Sequence, residues 1–353
     1  MPPPPRNRQG RSARGSARRG RYDARVPSWA IWTLAGATLA ALVAITGVAV
    51  LASVLTRSMT RPVRFGPRPP LDTVGLDVAP VRLRSDDGLA LAARHVRVPD
   101  RRATVIVLSG IHEPPAAAWL GHARLLAAHG YASLLLEMRA HGESDGDRIG
   151  LGVLEVRDVA AAVRHLRADD AAGTTPIALF GWSMGGAAAL NAAARLPEVG
   201  AVITSAAFSS WSDVVVDVAR GTLGPAAESM RPFLDLHLRR AYGPEARTLV
   251  PTRSIAELGE RPLLLMHARH DPGVPVASLH RLVAAAPPQV QVWIRDAADH
   301  EVVRPTAFER PWEDPPYAER IVGFLNAWTD AGGASPAAPE RDVRPSPNDR
   351  SPA

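Results

Sequence analysis

Ser183, Asp271 and His300 are the side chains of this sequence whose types and order could do chemistry together. A serine hydroxyl becomes a useful nucleophile only when a base takes its proton. An imidazole serves as that base when a carboxylate holds its tautomer. Ser183 lies in Gly181-Trp182-Ser183-Met184-Gly185, a Gly-x-Ser-x-Gly pentapeptide. The apolar run Ile177–Phe180 precedes it, and a small-residue stretch extends from it to Leu196. Strand, sharp turn and helix form the context in which this pentapeptide pushes a serine into the open. Glycine is required at 181 and 185 because strand and helix approach too closely for a Cβ at either place. The chemistry on offer is attack on an acyl carbon.

The partners follow in the order nucleophile, acid, base. The apolar run 262–267 leads into Ala268-Arg-His-Asp271-Pro-Gly-Val-Pro275, and 290–294 leads into Arg295-Asp-Ala-Ala-Asp299-His300. If both runs are strands, Asp271 and His300 leave the sheet at the same edge as Ser183. A cap for the next helix is the alternative role for Asp271. Asp213, some way beyond the run 201–204, is the rival acid. Asp296 and Asp299 are expected to tune or cap the loop around His300. A tetrahedral intermediate also needs two backbone N–H donors. Met184, opening a helix, supplies one with the helix dipole behind it. The loop Ser109-Gly110-Ile111-His112 supplies the other, through Ile111 or alternatively His112.

The elements that must position these groups alternate along the chain. Asp86-Asp87-Gly88 between 81–84 and 89–96 predicts a hairpin. Runs at 103–108, 132–136, 177–180, 201–204, 262–267 and 290–294 read as buried strands. Helical patterns at 116–129, 154–166, 184–196, 276–285 and 316–328 separate them. This is an α/β pattern: a mostly parallel sheet with helices on both faces and an antiparallel hairpin at one edge. Residues 207–261 break the rhythm with two helical patterns rich in Met, Phe and Leu. They predict either a small helical lid over the site or an ordinary long crossover.

At this point the residues resemble a known family. From about 78 to 328 the chain is similar to the α/β-hydrolase fold, in particular to serine aminopeptidase-like and monoacylglycerol-lipase-like serine hydrolases. Gly181-Trp-Ser183-Met-Gly185-Gly186 resembles their nucleophile elbow, and Asp271-Pro-Gly-Val-Pro275 with Asp299-His300 resembles their acid and base loops. Glu137-Met-Arg139-Ala-His141-Gly142-Glu-Ser144 resembles the family's Asp-x-Arg-Gly-His-Gly-x-Ser stretch, which implies a structural rather than catalytic His141. Two departures stand out. The usual His-Gly after the third strand is Ser109-Gly110, which bears on the oxyanion donors, and the one before the acid loop is His267-Ala268, which bears on packing.

Composition bounds the rest. There is no cysteine, hence no disulfide, thiolate nucleophile or Cys-based zinc site, and every one of the 41 basic residues is arginine. Residues 1–75 carry 12 Arg against two Asp, while residues 76–330 carry 26 Arg against 30 acidic residues. The basic character therefore belongs to the amino-terminal arm, and nucleic acid is not an expected partner. Residues 1–25, rich in Pro, Gly, Ser and Arg, are expected to be disordered. Val26 to Thr56 is a run of 31 residues without a charge, where about 20 suffice to span a bilayer as a helix. With Trp29 and Trp32 near its start, segment 26–56 reads as a transmembrane signal anchor. A cleaved signal peptide is its main rival, although the run is about twice the usual apolar length. Eight arginines before the run and four just after it favour a cytoplasmic amino terminus and an extracytoplasmic domain. Residues 57–75 read as a Pro-rich linker, 76–330 as the α/β-hydrolase domain, and 331–353 as a disordered tail.

The expected activity is that of a single-pass membrane serine hydrolase of the carboxylesterase, lipase or peptidase kind. It would act on an ester, thioester or amide of a small or lipid-like acyl substrate, with neither a metal nor an organic cofactor. A non-catalytic scaffold of the same fold at the cell envelope and an acyltransferase using the same three residues are the alternatives.

Overall fold

Successive side chains of a strand point to opposite faces, so a run that is apolar at every position needs cover on both. The computed structural model describes Met1 and residues 27–62, 73, 75–112, 116–169 and 174–333. Its strands are β1 (Asp77–Arg84), β2 (Ala90–Arg97), β3 (Ala103–Leu108), β4 (Tyr131–Leu136), β5 (Ile177–Trp182), β6 (Val199–Ser205), β7 (Leu263–Ala268) and β8 (Gln291–Arg295). Its α-helices are α1 (Ser28–Met59), α2 (Leu120–Ala128), α3 (Val156–Asp169), α4 (Met184–Ala193), α5 (Trp211–Leu223), α6 (Arg231–Tyr242), α7 (Pro251–Ala256), α8 (Ala277–Ala285) and α9 (Pro315–Asp330). The readings of 1–25, of most of 57–75 and of nearly all of 331–353 fall outside the described residues.

The strands form one eight-stranded sheet in the order β1-β2-β4-β3-β5-β6-β7-β8. β1 pairs antiparallel with β2 in register from Asp77 opposite Arg97 to Arg84 opposite Ala90, and β2 pairs antiparallel with β4. Every other pairing is parallel. The expected hairpin therefore forms one edge of a parallel sheet.

β3, β4, β5 and β7 are buried at every residue, and alternation divides them between two cores. Ile106, Leu134, Leu179 and Leu265 join one core, which Val159, Leu190 and Leu279 of α3, α4 and α8 complete. Val105, Leu135, Phe180 and Met266 join the other, which Leu126 of α2 and Phe324 and Trp328 of α9 complete. Each fully buried Leu, Ile or Phe contributes on the order of 1.5–3 kcal/mol relative to exposure. This double burial is what fixes the parallel order and hence the edge from which the loops leave.

The chain divides into two units, residues 1–47 and 48–353. In the first, the α1 residues Trp29, Trp32, Leu34, Leu39, Leu42 and Val43 are exposed. α1 is the one described helix long and apolar enough to cross a membrane. Its last three turns belong to the second unit, where Ala52 and Thr56 are fully buried. Ala52 packs with Val216, Met230 and Leu234, and Trp211 Nε1 donates to Thr56 Oγ1 at 3.4 Å. The segment read as anchor to its end thus contributes its final turns to the globular unit.

Between β6 and β7 lie α5, a 3-10 segment at Gly224–Met230, α6, a 3-10 turn at Pro244–Arg247, and α7. Ser210 caps α5 by accepting from the Asp213 amide at 3.0 Å, satisfying one of the free donors of the first turn.

Candidate active site

β5 ends where the chain must reverse into α4 within one residue, and Ser183 takes the strain. Its φ is 52° and ψ −116°, a conformation that an L-residue holds only when its surroundings impose it. Those surroundings are close. A Cβ on Gly181 would lie 2.2 Å from the Gly185 carbonyl oxygen, and one on Gly185 would lie 2.2 Å from that of Leu108. A Cβ on Gly186 would meet the Cβ of Ala207 at 2.8 Å. The elbow is therefore gripped between the ends of β3 and β6, and the Ser183 amide donates to the Ser205 carbonyl at 2.8 Å. Met184 follows as the first residue of α4, with its amide at the positive end of the helix.

β7 and β8 deliver the other two side chains. Asp271 accepts through Oδ1 from the amides of Gly273 and Val274 at 2.7 and 2.9 Å. Its other oxygen lies 2.7 Å from His300 Nδ1, and the carboxylate is fully buried. A carboxylate only accepts, so Nδ1 carries the proton and Nε2 is left with a free lone pair. The His300 ring lies 5.0 Å from that of Trp182, the residue before Ser183, and Trp182 Nε1 donates to the His300 carbonyl at 3.2 Å. No hydrogen bond joins His300 to Ser183 among the described residues; such contacts tighten when substrate binds.

The other carboxylates of the region make different contacts. Asp271 does not cap α8, which begins at Ala277 after Val276. Asp213 is held by Arg231 Nη1 at 2.6 Å and by Ser209 Oγ at 2.7 Å, within the segment after β6. Asp296 is exposed and 3.4 Å from His270. On the donor loop after β3, Ile111 is half-buried, and His112 has φ 58° and donates through Nε2 to the Arg61 carbonyl at 3.2 Å.

Two supporting groups escaped the sequence reading. One is Trp182, whose indole braces the loop of His300. The other is His267, read only as a packing departure. Its Nε2 lies 2.8 Å from the Val274 carbonyl and 3.7 Å from Asp271 Oδ2, so it ties the acid loop to the end of β7. Burial holds the His267 ring below the usual histidine range. The signal was its place at the end of a buried strand, four residues before the acid.

The stretch after β4 is structural in its contacts. His141 is buried with Nδ1 2.9 Å from the Arg139 carbonyl, and burial pushes its pKa down. Arg139 is a hub, donating to Asp158 and Asp87 at 2.7 Å each. Burial opposes ionisation of Asp87, but hydrogen bonds from Arg139 and Ser85 outweigh it and hold this carboxyl at about 2. Asp158, wholly enclosed, is pushed up to about 6 by burial against the pull of Arg139.

Sheet order and strained elbow are those of the α/β-hydrolase fold, and the comparisons with known proteins agree with that architecture. Residues 99–254, from just before β3 into α7, match the family model described as serine aminopeptidase, S33. Over 215 residues the chain is 25% identical to the uncharacterized protein YqkD of Bacillus subtilis (strain 168), spanning 60% of this chain and 70% of that one. Among solved structures, the esterase Pf2001 of Pyrococcus furiosus superposes with a TM-score of 0.60 at 20% identity, covering 77% of this chain and 98% of that one. The α/β-hydrolase GrgF from Penicillium sp. sh18 superposes with a TM-score of 0.56 at 18% identity, covering 71% and 98%.

Proposed function

We propose that the protein is a membrane-anchored serine hydrolase that cleaves an ester, thioester or amide through an acyl-enzyme on Ser183. The observation that carries this reading is the 2.7 Å contact from Asp271 to His300 Nδ1, on a ring that lies against Trp182 beside a strained Ser183. In the first half-reaction the Ser183 hydroxyl proton passes to His300 Nε2 as Oγ bonds to the acyl carbon. The Met184 and Ile111 amides receive the oxyanion in this reading, and His300 then gives its proton to the leaving group. In the second half a water loses its proton to Nε2, attacks the acyl-enzyme, and releases the acid and the free serine. Asp271 keeps the ring in the Nδ1–H tautomer and stabilises the imidazolium that forms twice per turnover.

The anchor is α1, with the amino terminus in the cytoplasm and the domain outside. The length and apolar character of the helix support this, together with the arginine excess on its amino-terminal side. The segment 207–261 serves as a lid. The enzymatic reading is tested by hydrolysis of p-nitrophenyl esters of graded chain length by the full chain and by Ser183→Ala. Turnover by the parent and none by the variant is expected, whereas equal turnover by both would remove Ser183 from the reaction. Protease added to intact cells tests the orientation, which predicts cleavage of the domain before lysis.

A further inference from the structure

A cavity of about 500 Å³ opens beside the elbow, and neither Ser183 nor His300 lines it. Its floor is apolar, made by Leu151, Val153, Phe208, Trp211, Leu238 and Leu249. That floor rests on the nucleophile's helix at two places. Ala207, next to Phe208, packs on Gly186, and Gly152, between Leu151 and Val153, packs on Ala187.

The charged groups in its wall are unequal in number and in pairing. Asp213 is neutralised by Arg231 at 2.6 Å, and Asp235 accepts from Ser212 at 2.5 Å. Arg239, Arg247 and Arg253 also line the cavity. Arg239 bonds only the Asp235 backbone carbonyl, and Arg253 only that of Arg247. No carboxylate pairs with any of the three among the described residues. Three guanidiniums against one unpaired carboxylate, above an apolar floor, fit a ligand with an anionic head and a hydrocarbon body.

The source of such a ligand is indicated by Trp211. This wall residue donates to Thr56, the last residue of the uncharged run, and Arg57 begins the charged chain. The turns of α1 from Val48 onward pack on the domain, so in the anchored reading the hydrocarbon ends before Thr56 and this wall lies on the headgroup side of the membrane. We infer that the cavity binds an anionic amphiphile drawn from the membrane, its carboxylate or phosphate held by Arg239, Arg247 and Arg253 and its chain laid along the floor. The inference rests on the anchored-hydrolase reading and gives that enzyme a site for a lipid-derived acid next to its elbow rather than on Ser183.

The test uses the full-length Ser183→Ala protein in neutral detergent micelles, so that binding is scored without turnover and whatever the role of Ser183. Dibromostearate should quench tryptophan fluorescence saturably, and Trp211→Phe should remove that component. The uncharged dibromostearyl alcohol should bind about tenfold or more weakly, and replacing all three arginines by glutamine should weaken the acid by a similar factor. A thermal melt checks that the triple variant is folded, and Arg247→Gln alone, at an exposed position, gives a partial effect in the same direction. Equal affinity for acid and alcohol, or an unchanged affinity in the folded triple variant, would overturn the proposal. Displacement of dibromostearate by inorganic phosphate at comparable concentration would make this a site for free anions and would also overturn it.

Discussion

The indole of Trp182 spans from the end of β5 to the loop of His300, donating from Nε1 to the His300 carbonyl at 3.2 Å with the two rings 5.0 Å apart. The residue that β5 spends on its last position before the elbow thus sets where the imidazole stands. Trp182 and His300 are 118 positions apart in the chain, and this contact ties the residue before the elbow to the far loop.

Trp182→Phe tests that role. The smaller ring keeps most of the packing but leaves the His300 carbonyl without its donor, a loss of about 1 kcal/mol if the bond is of ordinary strength. The expected result is a fall in kcat of roughly fivefold with KM for a short ester unchanged, since the substrate does not touch the indole in this reading. A fall confined to KM would assign Trp182 to substrate binding instead.

Asp271→Asn separates charge from shape. The amide oxygen can still accept from the Gly273 and Val274 amides, but its NH2 faces His300 Nδ1 and favours the wrong tautomer. A loss of about 10⁴ in kcat is expected by analogy with other such triads, with little change in the melting temperature. Asp213→Asn should leave kcat within about twofold, because that carboxylate is engaged with Arg231 and Ser209.

Gly185→Ala should be among the most damaging single-methyl changes in the protein. Its Cβ would sit 2.2 Å from the Leu108 carbonyl oxygen and 2.5 Å from that of Ser109, both backbone atoms that cannot swing away. A loss of at least about 2 kcal/mol is expected in urea unfolding, in the range of severe overpacking. Gly221→Ala, in α5 with nothing nearby, should instead be neutral or stabilising by up to about 1 kcal/mol.

Acid should destabilise the domain through its buried histidines. Burial lowers His122 from 6.5 to about 3 and, despite the opposing charge of Asp169, lowers His95 from 6.5 to about 4. The unfolded chain therefore binds more protons than the folded one between pH 6.5 and these values. The stability these groups contribute is complete above pH 6.5 and is lost as pH falls toward their folded values. Each contributes a slope of up to about 1.4 kcal/mol per pH unit in that window. Unfolding followed between pH 7 and 5 should show a steadily falling midpoint, and His122→Gln should flatten the dependence by about one proton's worth.

Much of this was legible in the chain. The strands that carry the three side chains are apolar at every position, and only burial on both faces explains such runs, so their order and the edge they share followed from the pattern. Glycine at 181 and 185 announced the elbow because no other residue fits there. The role of Trp182 was not legible, since its partner is a backbone carbonyl that no residue type encodes. Nor was the division of α1. Hydropathy gives a run its length and says nothing of which side meets protein, although Ala52 and Thr56, small residues four apart, mark the face that the domain covers. The pairing of Asp213 with Arg231 was not legible either, since α6 supplies that neighbour and it is visible only once the helices pack.

The claim that matters most is that Ser183 is activated by His300, and labelling with a fluorophosphonate followed by peptide mapping addresses it directly. The native full-length chain should take up one adduct, on the peptide carrying Ser183. His300→Ala should slow labelling by about 10³-fold or more while melting like the parent, and heat-denatured protein should not label. Labelling of another residue, or an unchanged rate in a folded His300→Ala variant, would contradict the triad.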